Sequence, residues 1–350
     1  MTEGRQNAKD ETEPLPDAMR RPRADGSAVF DAILAPGGYF ALPIAHQRGL
    51  FRLLEGQRLT AAEISHALEL KPRPANALLA VATSLGLLEP SDDRHALTPL
   101  AEDYLLESSP TYMGFFLDLG LVVDHSYSAY DQAVASDSSQ PPDQDFASFE
   151  EQAERARVFT RGMHSVSVAP ALIWPNVVDL ADDRLLLDIG GGSGAHSIGA
   201  CLRWRELHAI VLDLPPVCDV ADEFVARQGL EGRITTRHAD MWADPFPPAD
   251  VHFYSNILHD WPPEKGQFLV EKSFQALEPG GRILLHEALF NDDKTGLFRI
   301  AAFNMSMLWA AGGRQHSGHE LSTMLADVGF QETQVIPTPG YYSIVTGRKP

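Results

Sequence analysis

From Arg184 onward the chain alternates short apolar runs with helical segments, and this alternation limits the possible folds more than any other feature. "RLLLDIG", "HAIVLD", "RITTRHAD", "DVHFYSNIL" and "GRILLHEAL" read as strands. Strands separated by helices imply βαβ units and a mainly parallel sheet covered on both faces. The tail segments "QETQVIPT" and "YYSIVTGRK" read as two more strands joined at Pro339-Gly340, which makes an antiparallel edge. The expected fold class is therefore α/β, with a mostly parallel seven-stranded sheet in the catalytic part, residues 183–350.

The upstream half has a different character. Residues 1–25 are charged, contain Pro and Gly, and lack a periodic apolar pattern, so a disordered tail is expected there. Residues 26–110 read as an all-helical, winged-helix-like unit. "AVFDAILAPGGYFALPIAHQRGLFRLL" carries apolar residues at helical spacing, interrupted at Pro36-Gly37-Gly38. "TAAEISHAL" opens with Thr60 as cap and Glu63 closing a capping box. "RPANALLAVATSLGLLEP" gives a third helix, and "DDRHALTPLAEDYLL" a hairpin wing followed by a short helix. Winged helices commonly bind DNA, but the segment that would read bases offers only Lys71 and Arg73 and is otherwise Ala/Leu-rich. An interaction or dimerisation role suits it better. Residues 111–182 read as helices around the polar linker "ASDSSQPPDQDFAS", covering the substrate. The helix expected over 150–174 is charged at first and apolar later, so its second half enters a core or a pocket.

A formal charge of −20 argues against nucleic acid and against an anionic membrane surface. No apolar run approaches the length of a membrane span, and the polar N-terminus has no signal-peptide core. Cys201 and Cys218 make neither a disulfide framework nor a metal-type pair. These features point to the cytoplasm.

"LLLDIGGGSGAHS" puts Gly190, Gly192 and Gly194 between a strand and a helix, where glycine lets the backbone turn sharply and approach a ligand. A phosphate loop is excluded because no Gly-Lys-Ser/Thr follows. A dinucleotide site stays open, since Gly190, Gly192 and Ala195 fit G-x-G-x-x-A. Asp213 ends the second strand, where it can accept from ribose hydroxyls; Asp240-Met241 ends the third, where it can hold an adenine. Asp188, inside the first strand, is costly to bury unless the loop or a ligand bonds to it.

The fourth strand runs into "SNILHDWPPEKG". Together, "LLLDIGGGSG", "VLDLPPV", "HADMW", "NILHDW", "LEPGGRILLHEALF" and "AAGGRQHSGHEL" resemble the S-adenosylmethionine (SAM)-dependent O-methyltransferases of the plant caffeate/hydroxyindole (acetylserotonin) type, which also occur in bacterial natural-product pathways. The resemblance implies a Rossmann-like SAM domain, a winged-helix-like dimerisation domain, a homodimer and a small aromatic acceptor. It places Gly190, Asp213, Leu214, Asp240 and Met241 around the cofactor, with Trp261 packing near the adenine. Ser255 stands where the family usually has a lysine. Phe159, Met163, Asn304 and Met305 are expected to line the acceptor pocket.

Methyl transfer is a direct displacement at an activated sulfonium, so the protein must align the reactants and supply an electron-rich nucleophile. A phenol, with a pKa of about 10, needs its proton removed, and a histidine suits that task. The resemblance makes His259 the base. Glu287, at the end of the neighbouring strand, is the expected carboxylate behind it, and Asp260 is expected to point away. Gln315 stands where the family often has a second glutamate. That departure leaves an alternative open: a metal-assisted C-methyltransferase acting on an α-keto acid such as an aryl pyruvate, with His259 joined by His286, His316 or His319, or by His125 or His164 on the covering helices. A DNA-binding regulator and a dehydrogenase are the remaining readings.

Overall fold

The computed structural model describes residues 22–122, 126–137, 153–310 and 312–350. Nearly all of the tail expected over 1–25, most of the polar linker and His125 lie outside the described residues.

The first part packs α1 (Ser27–Gln47), α2 (Leu50–Leu53), α3 (Ala61–Ala67), α4 (Pro72–Ser84) and α5 (Pro99–Leu105) around its own apolar core, which includes Leu50, Phe51, Leu54, Ile64 and Leu79. It is not all helical. The strands β1 (Leu59–Thr60), β2 (Leu88–Ser91) and β3 (Arg94–Leu97) form a small antiparallel sheet in the order β1-β3-β2. Thr60 and Glu63 form the capping box that the sequence signals at the start of α3.

The first helix departs from the sequence reading. α1 runs unbroken through Pro36, Gly37, Gly38 and Pro43. A proline removes one backbone donor without obliging the chain to leave the helix. The uninterrupted helix is long and apolar enough to cross a membrane by length and composition, which corrects the expectation that no run reaches that length. Only Pro43 and Ala45 of it are buried.

After α6 (Gly114–Val122), α7 (Tyr127–Ser136) and α8 (Ala153–Ile173) the chain enters the main sheet. Its strands are β4 (Leu185–Ile189), β5 (His208–Asp213), β6 (Ile234–His238), β7 (Val251–Ser255), β8 (Arg282–Ala288), β9 (Gln331–Pro337) and β10 (Tyr342–Arg348). They lie in the order β6-β5-β4-β7-β8-β10-β9. The first five are parallel to one another, and β10 pairs antiparallel with both β8 and β9. The antiparallel pair expected at the tail is thus present, with β10 inserted between β8 and the edge strand β9. The helices α9 (Ala195–Arg203), α10 (Pro215–Arg227), α11 (Pro263–Ala276), α12 (Phe298–Ala310) and α13 (Gly318–Val328) alternate with or follow these strands.

Successive strand residues point to opposite faces, so a strand buried on both sides reads as an unbroken apolar run. β7 shows this directly: Phe253 enters one core with Trp174 and Phe224, while Tyr254 enters the other with Leu258, Leu269 and Leu285. From β4 the chain builds outward through β5 and β6, then crosses back to lay β7 on the other side of β4. That reversal leaves a crevice at the C-terminal ends of β4 and β7, where open α/β sheets bind ligands.

Candidate functional site

The glycine loop sits in that crevice. Gly190, Gly192 and Gly194 all adopt left-handed backbone, with φ of 64°, 56° and 72°, which side chains rarely tolerate. A Cβ on Gly190 would come within 2.6 Å of Ile257, and the Met241 sulfur lies 3.9 Å away on the same approach. Asp213 closes the next strand with both oxygens engaged: Oδ2 accepts from the Gly192 amide at 2.9 Å and Oδ1 from the Leu214 amide at 2.8 Å. Burial pushes its pKa up to about 6 despite these bonds. Asp188 is fully buried and accepts from the Ser197 hydroxyl at 2.7 Å; burial lifts it to about 7.

On the far side of the crevice, Asp240 Oδ1 accepts from the Trp242 amide at 2.8 Å, and the Lys272 ammonium donates to the Met241 carbonyl at 2.6 Å. Trp261 packs edge-to-face on Trp242 at 4.9 Å, with the Lys265 ammonium 4.4 Å above its ring. Ser255 turns instead toward β8, its hydroxyl 2.8 Å from His286 Nδ1.

His259 lies on a 3-10 turn, Leu258–Asp260, directly after β7, and only 3% of it is exposed. Glu287, 1% exposed at the end of β8, anchors this turn by accepting from the Leu258 amide at 3.1 Å. Its Oε2 lies 3.0 Å from His259 Nδ1, an ion pair without hydrogen-bond alignment. The aligned partner of Nδ1 is Gln315, whose amide nitrogen stands 3.1 Å away while its buried amide oxygen has no hydrogen-bond partner among the described residues.

Contrary to expectation, Asp260 folds back onto the ring: its Oδ1 is 3.3 Å from Nε2, with 37% of its side chain exposed. The tight turn brings adjacent residues onto one side, which sequence adjacency alone does not reveal. Burial on its own lowers the pKa of the ring, but the carboxylates of Glu287 and Asp260 outweigh it and hold His259 well above 6.5. The two carboxylates thus favour the imidazolium form of His259 in the free chain. An imidazolium donates from both nitrogens, so a half-turn of the Gln315 amide, placing its oxygen on Nδ1, satisfies both groups.

Two elements hold this arrangement from above. Gly313 packs against the backbone of the histidine turn so closely that a Cβ there would collide with the His259 carbonyl. Asn304 on α12 accepts from the Gln315 amide N–H at 2.8 Å, so its observed contact is to the loop rather than to open pocket. One residue earlier, Phe303 meets the His259 ring edge-to-face at 5.2 Å. Nothing in the sequence singles out Phe303; Met305, expected at the acceptor pocket, lies two residues on and so on another side of the helix, 40% exposed. Phe159 and Met163 share a face of α8, with Phe159 46% exposed.

The histidines proposed for a metal do not converge. His286 is held by Ser255 and stacks on Tyr342 at 4.5 Å. His319 is exposed at the start of α13, and His164 bonds to Ser193. His316 is buried beside Glu287, and burial lowers its pKa. Among the described residues no three His, Cys, Asp or Glu side chains are placed to hold a metal ion.

Comparison with known proteins agrees with this geometry. Residues 118–331 match the O-methyltransferase domain family. The chain is 36% identical over 314 residues to 3-hydroxy-5-methyl-1-naphthoate 3-O-methyltransferase of Streptomyces sahachiroi, covering 88% of this chain and 91% of that protein. It is 28% identical over 320 residues to acetylserotonin O-methyltransferase of Bos taurus, covering 87% and 92%. Human N-acetylserotonin methyltransferase, solved in complex with SAM, shares the fold with a TM-score of 0.81 at 24% identity, over 93% of this chain and 99% of that one. The chain belongs to the SAM-dependent O-methyltransferases.

Proposed function

We propose that the chain moves a methyl group from SAM to a hydroxyl of a small aromatic molecule of the natural-product kind, that His259 manages the hydroxyl proton, and that the working unit is a homodimer. The observation that carries this reading is the environment of His259: a buried ring with Glu287 and Gln315 on Nδ1 and a displaceable carboxylate, Asp260, on Nε2.

The crevice suits SAM by its donors and acceptors. Asp213 offers carboxylate oxygens for ribose hydroxyls, and Asp240 has one oxygen left for an adenine amino group. Gly192 faces open space that a side chain would intrude on. When bound, SAM supplies an electrophilic methyl on a positive sulfur. The remaining work belongs to this chain. The acceptor hydroxyl takes the place of Asp260 on Nε2. Loss of that carboxylate lowers the ring's pKa, the ε proton leaves by way of the partly exposed Asp260, and the neutral ring then accepts the acceptor's proton. Glu287 offsets the imidazolium charge that re-forms, and the Gln315 oxygen keeps Nδ1–H in place. Phe303 excludes water beside the ring. General-base help of this kind contributes about 10²–10⁴-fold.

The aromatic acceptor is supported by Phe303 and by the Phe159–Met163 face, and by the naphthoate named for the Streptomyces relative. The dimer is supported by α1, which leaves Val29, Phe30, Ile33, Leu34 and Phe40 exposed, more apolar surface than a lone chain ordinarily carries. Incubation with methyl-labelled SAM and a panel of phenols, catechols and hydroxynaphthoates tests the reaction. Label on a hydroxyl oxygen is expected; label confined to amine or carbon acceptors contradicts it.

A further inference from the structure

We propose that His164 is a positioning residue that ties the helix facing the acceptor to the cofactor loop, so that seating the cofactor also fixes the acceptor wall. The juxtaposition is the 2.7 Å bond between His164 Nδ1, on α8, and the hydroxyl of Ser193, inside the glycine loop. The proposal rests on the reading of α8 as acceptor wall, through Phe159 and Met163.

A loop with three left-handed glycines has much freedom to lose, and it seats a ligand only if something holds it. Most of its restraints come from its own α/β unit. Gly190 N–H donates to the Leu212 carbonyl at 2.9 Å, Gly194 N–H to Gly191 at 2.9 Å, and Gly192 N–H to Asp213 at 2.9 Å. Among the described residues, the side-chain bond that reaches this loop from outside that unit is the one from His164.

That histidine is itself fixed. Its ring stacks on Phe224 of α10 at 3.5 Å, in line with two ion pairs on the same stripe of α8, Arg157–Asp219 at 3.0 Å and Arg161–Glu223 at 2.7 Å. The positions 157, 161 and 164 recur at helical spacing, so one face of α8 is docked on α10 while Met163, next to His164, belongs to the face with Phe159. Burial, with Arg227 and Arg161 nearby, lowers the pKa of the His164 ring to about 3, so it remains neutral and bonds Ser193 as a dipole. A displacement requires sulfur, methyl and acceptor oxygen in register, and a misplacement of about 1 Å can cost about 10²-fold. A bond shared by the two walls supplies that register.

The test uses the whole chain with S-adenosylhomocysteine, measuring its affinity by calorimetry and backbone hydrogen exchange across 153–173. The proteins are wild type, His164→Leu, His164→Asn, Ser193→Ala and the Leu/Ala double variant. Asparagine keeps a polar group near the Nδ1 position, while both histidine variants lose the stack on Phe224. Leu and Ala singly are expected to weaken binding by about 3- to 10-fold, the worth of one hydrogen bond. The double variant should be no weaker than Leu alone, and Asn should recover most of the loss. Ligand should protect α8 in wild type and Asn but not in Leu. Additive losses, equal Asn and Leu, or an α8 indifferent to ligand in wild type would overturn the proposal while leaving cofactor binding standing. A wild-type chain that does not bind S-adenosylhomocysteine overturns the cofactor assignment and this proposal together.

Discussion

The two carboxylates on His259 set its chemistry. A base works only when unprotonated, so a ring held well above 6.5 makes the acid limb of the rate profile rise at correspondingly higher pH. Asp260→Asn removes one of the two charges, lowers the ring's pKa and moves that limb to lower pH. Gln315→Glu does the reverse, because it adds an anion on the aligned partner of Nδ1. Profiles of kcat/KM for the acceptor against pH at saturating SAM, which report the ring before the acceptor displaces Asp260, should show the two variants displaced in opposite directions; displacement in the same direction contradicts the charge assignment. Asp260 also marks a boundary of sequence reasoning. Its type and position were plain from "HDW", but its orientation depends on backbone angles within a three-residue turn that no spacing rule fixes.

Among the elements, the loop after α12 acts as a cover pressed onto the histidine turn. Gly313 is the contact point, with a Cβ at that position colliding with backbone atoms that cannot move aside without shifting His259. Gly313→Ala should cost about 1–3 kcal/mol of stability and at least tenfold in turnover. Gly232→Ala, at a glycine with open space around it, should change neither. Thermal melts and initial rates on both variants check this. The strands, by contrast, were legible from the start. Burial on both faces keeps "ILL" apolar and leaves "VHFY" one buried polar ring, His252, which Ser273 meets at 3.0 Å, and Asp213 must fall at a strand end to reach the loop amides. Helical phase was not legible. α12 presents Phe303 to the His259 ring rather than Met305, and a displacement of two residues turns the side chain about 200°.

At the scale of the whole molecule, local breakers in α1 do not interrupt it. Pro36-Gly37-Gly38 resembles a stop, yet the helix continues and leaves an apolar face that the described residues of one chain do not cover. If a second copy covers it, light scattering behind size exclusion gives twice the mass of 38.4 kDa. Ile33→Glu or Phe30→Glu should then shift the population toward monomer with the fold intact by circular dichroism. A wild-type monomer at micromolar concentration, or partition into lipid vesicles, argues for another partner. The family itself was legible because the glycine loop, Asp213, Asp240 and His259 lie at the ends of consecutive strands, which the sheet brings to one crevice. The acceptor was not legible because the residues proposed to face it lie on helices, whose rotation is settled only by packing.

The most direct measurement is single-turnover methyl transfer from SAM to a hydroxylated aromatic acceptor, followed across pH for wild type and His259→Gln. The account predicts a wild-type rate that climbs through a limb above 6.5. It predicts a variant slower by about 10²–10⁴-fold, without that limb, and binding S-adenosylhomocysteine as tightly as wild type. Equal rates and the same limb in both proteins would contradict His259 as the group that takes the acceptor's proton.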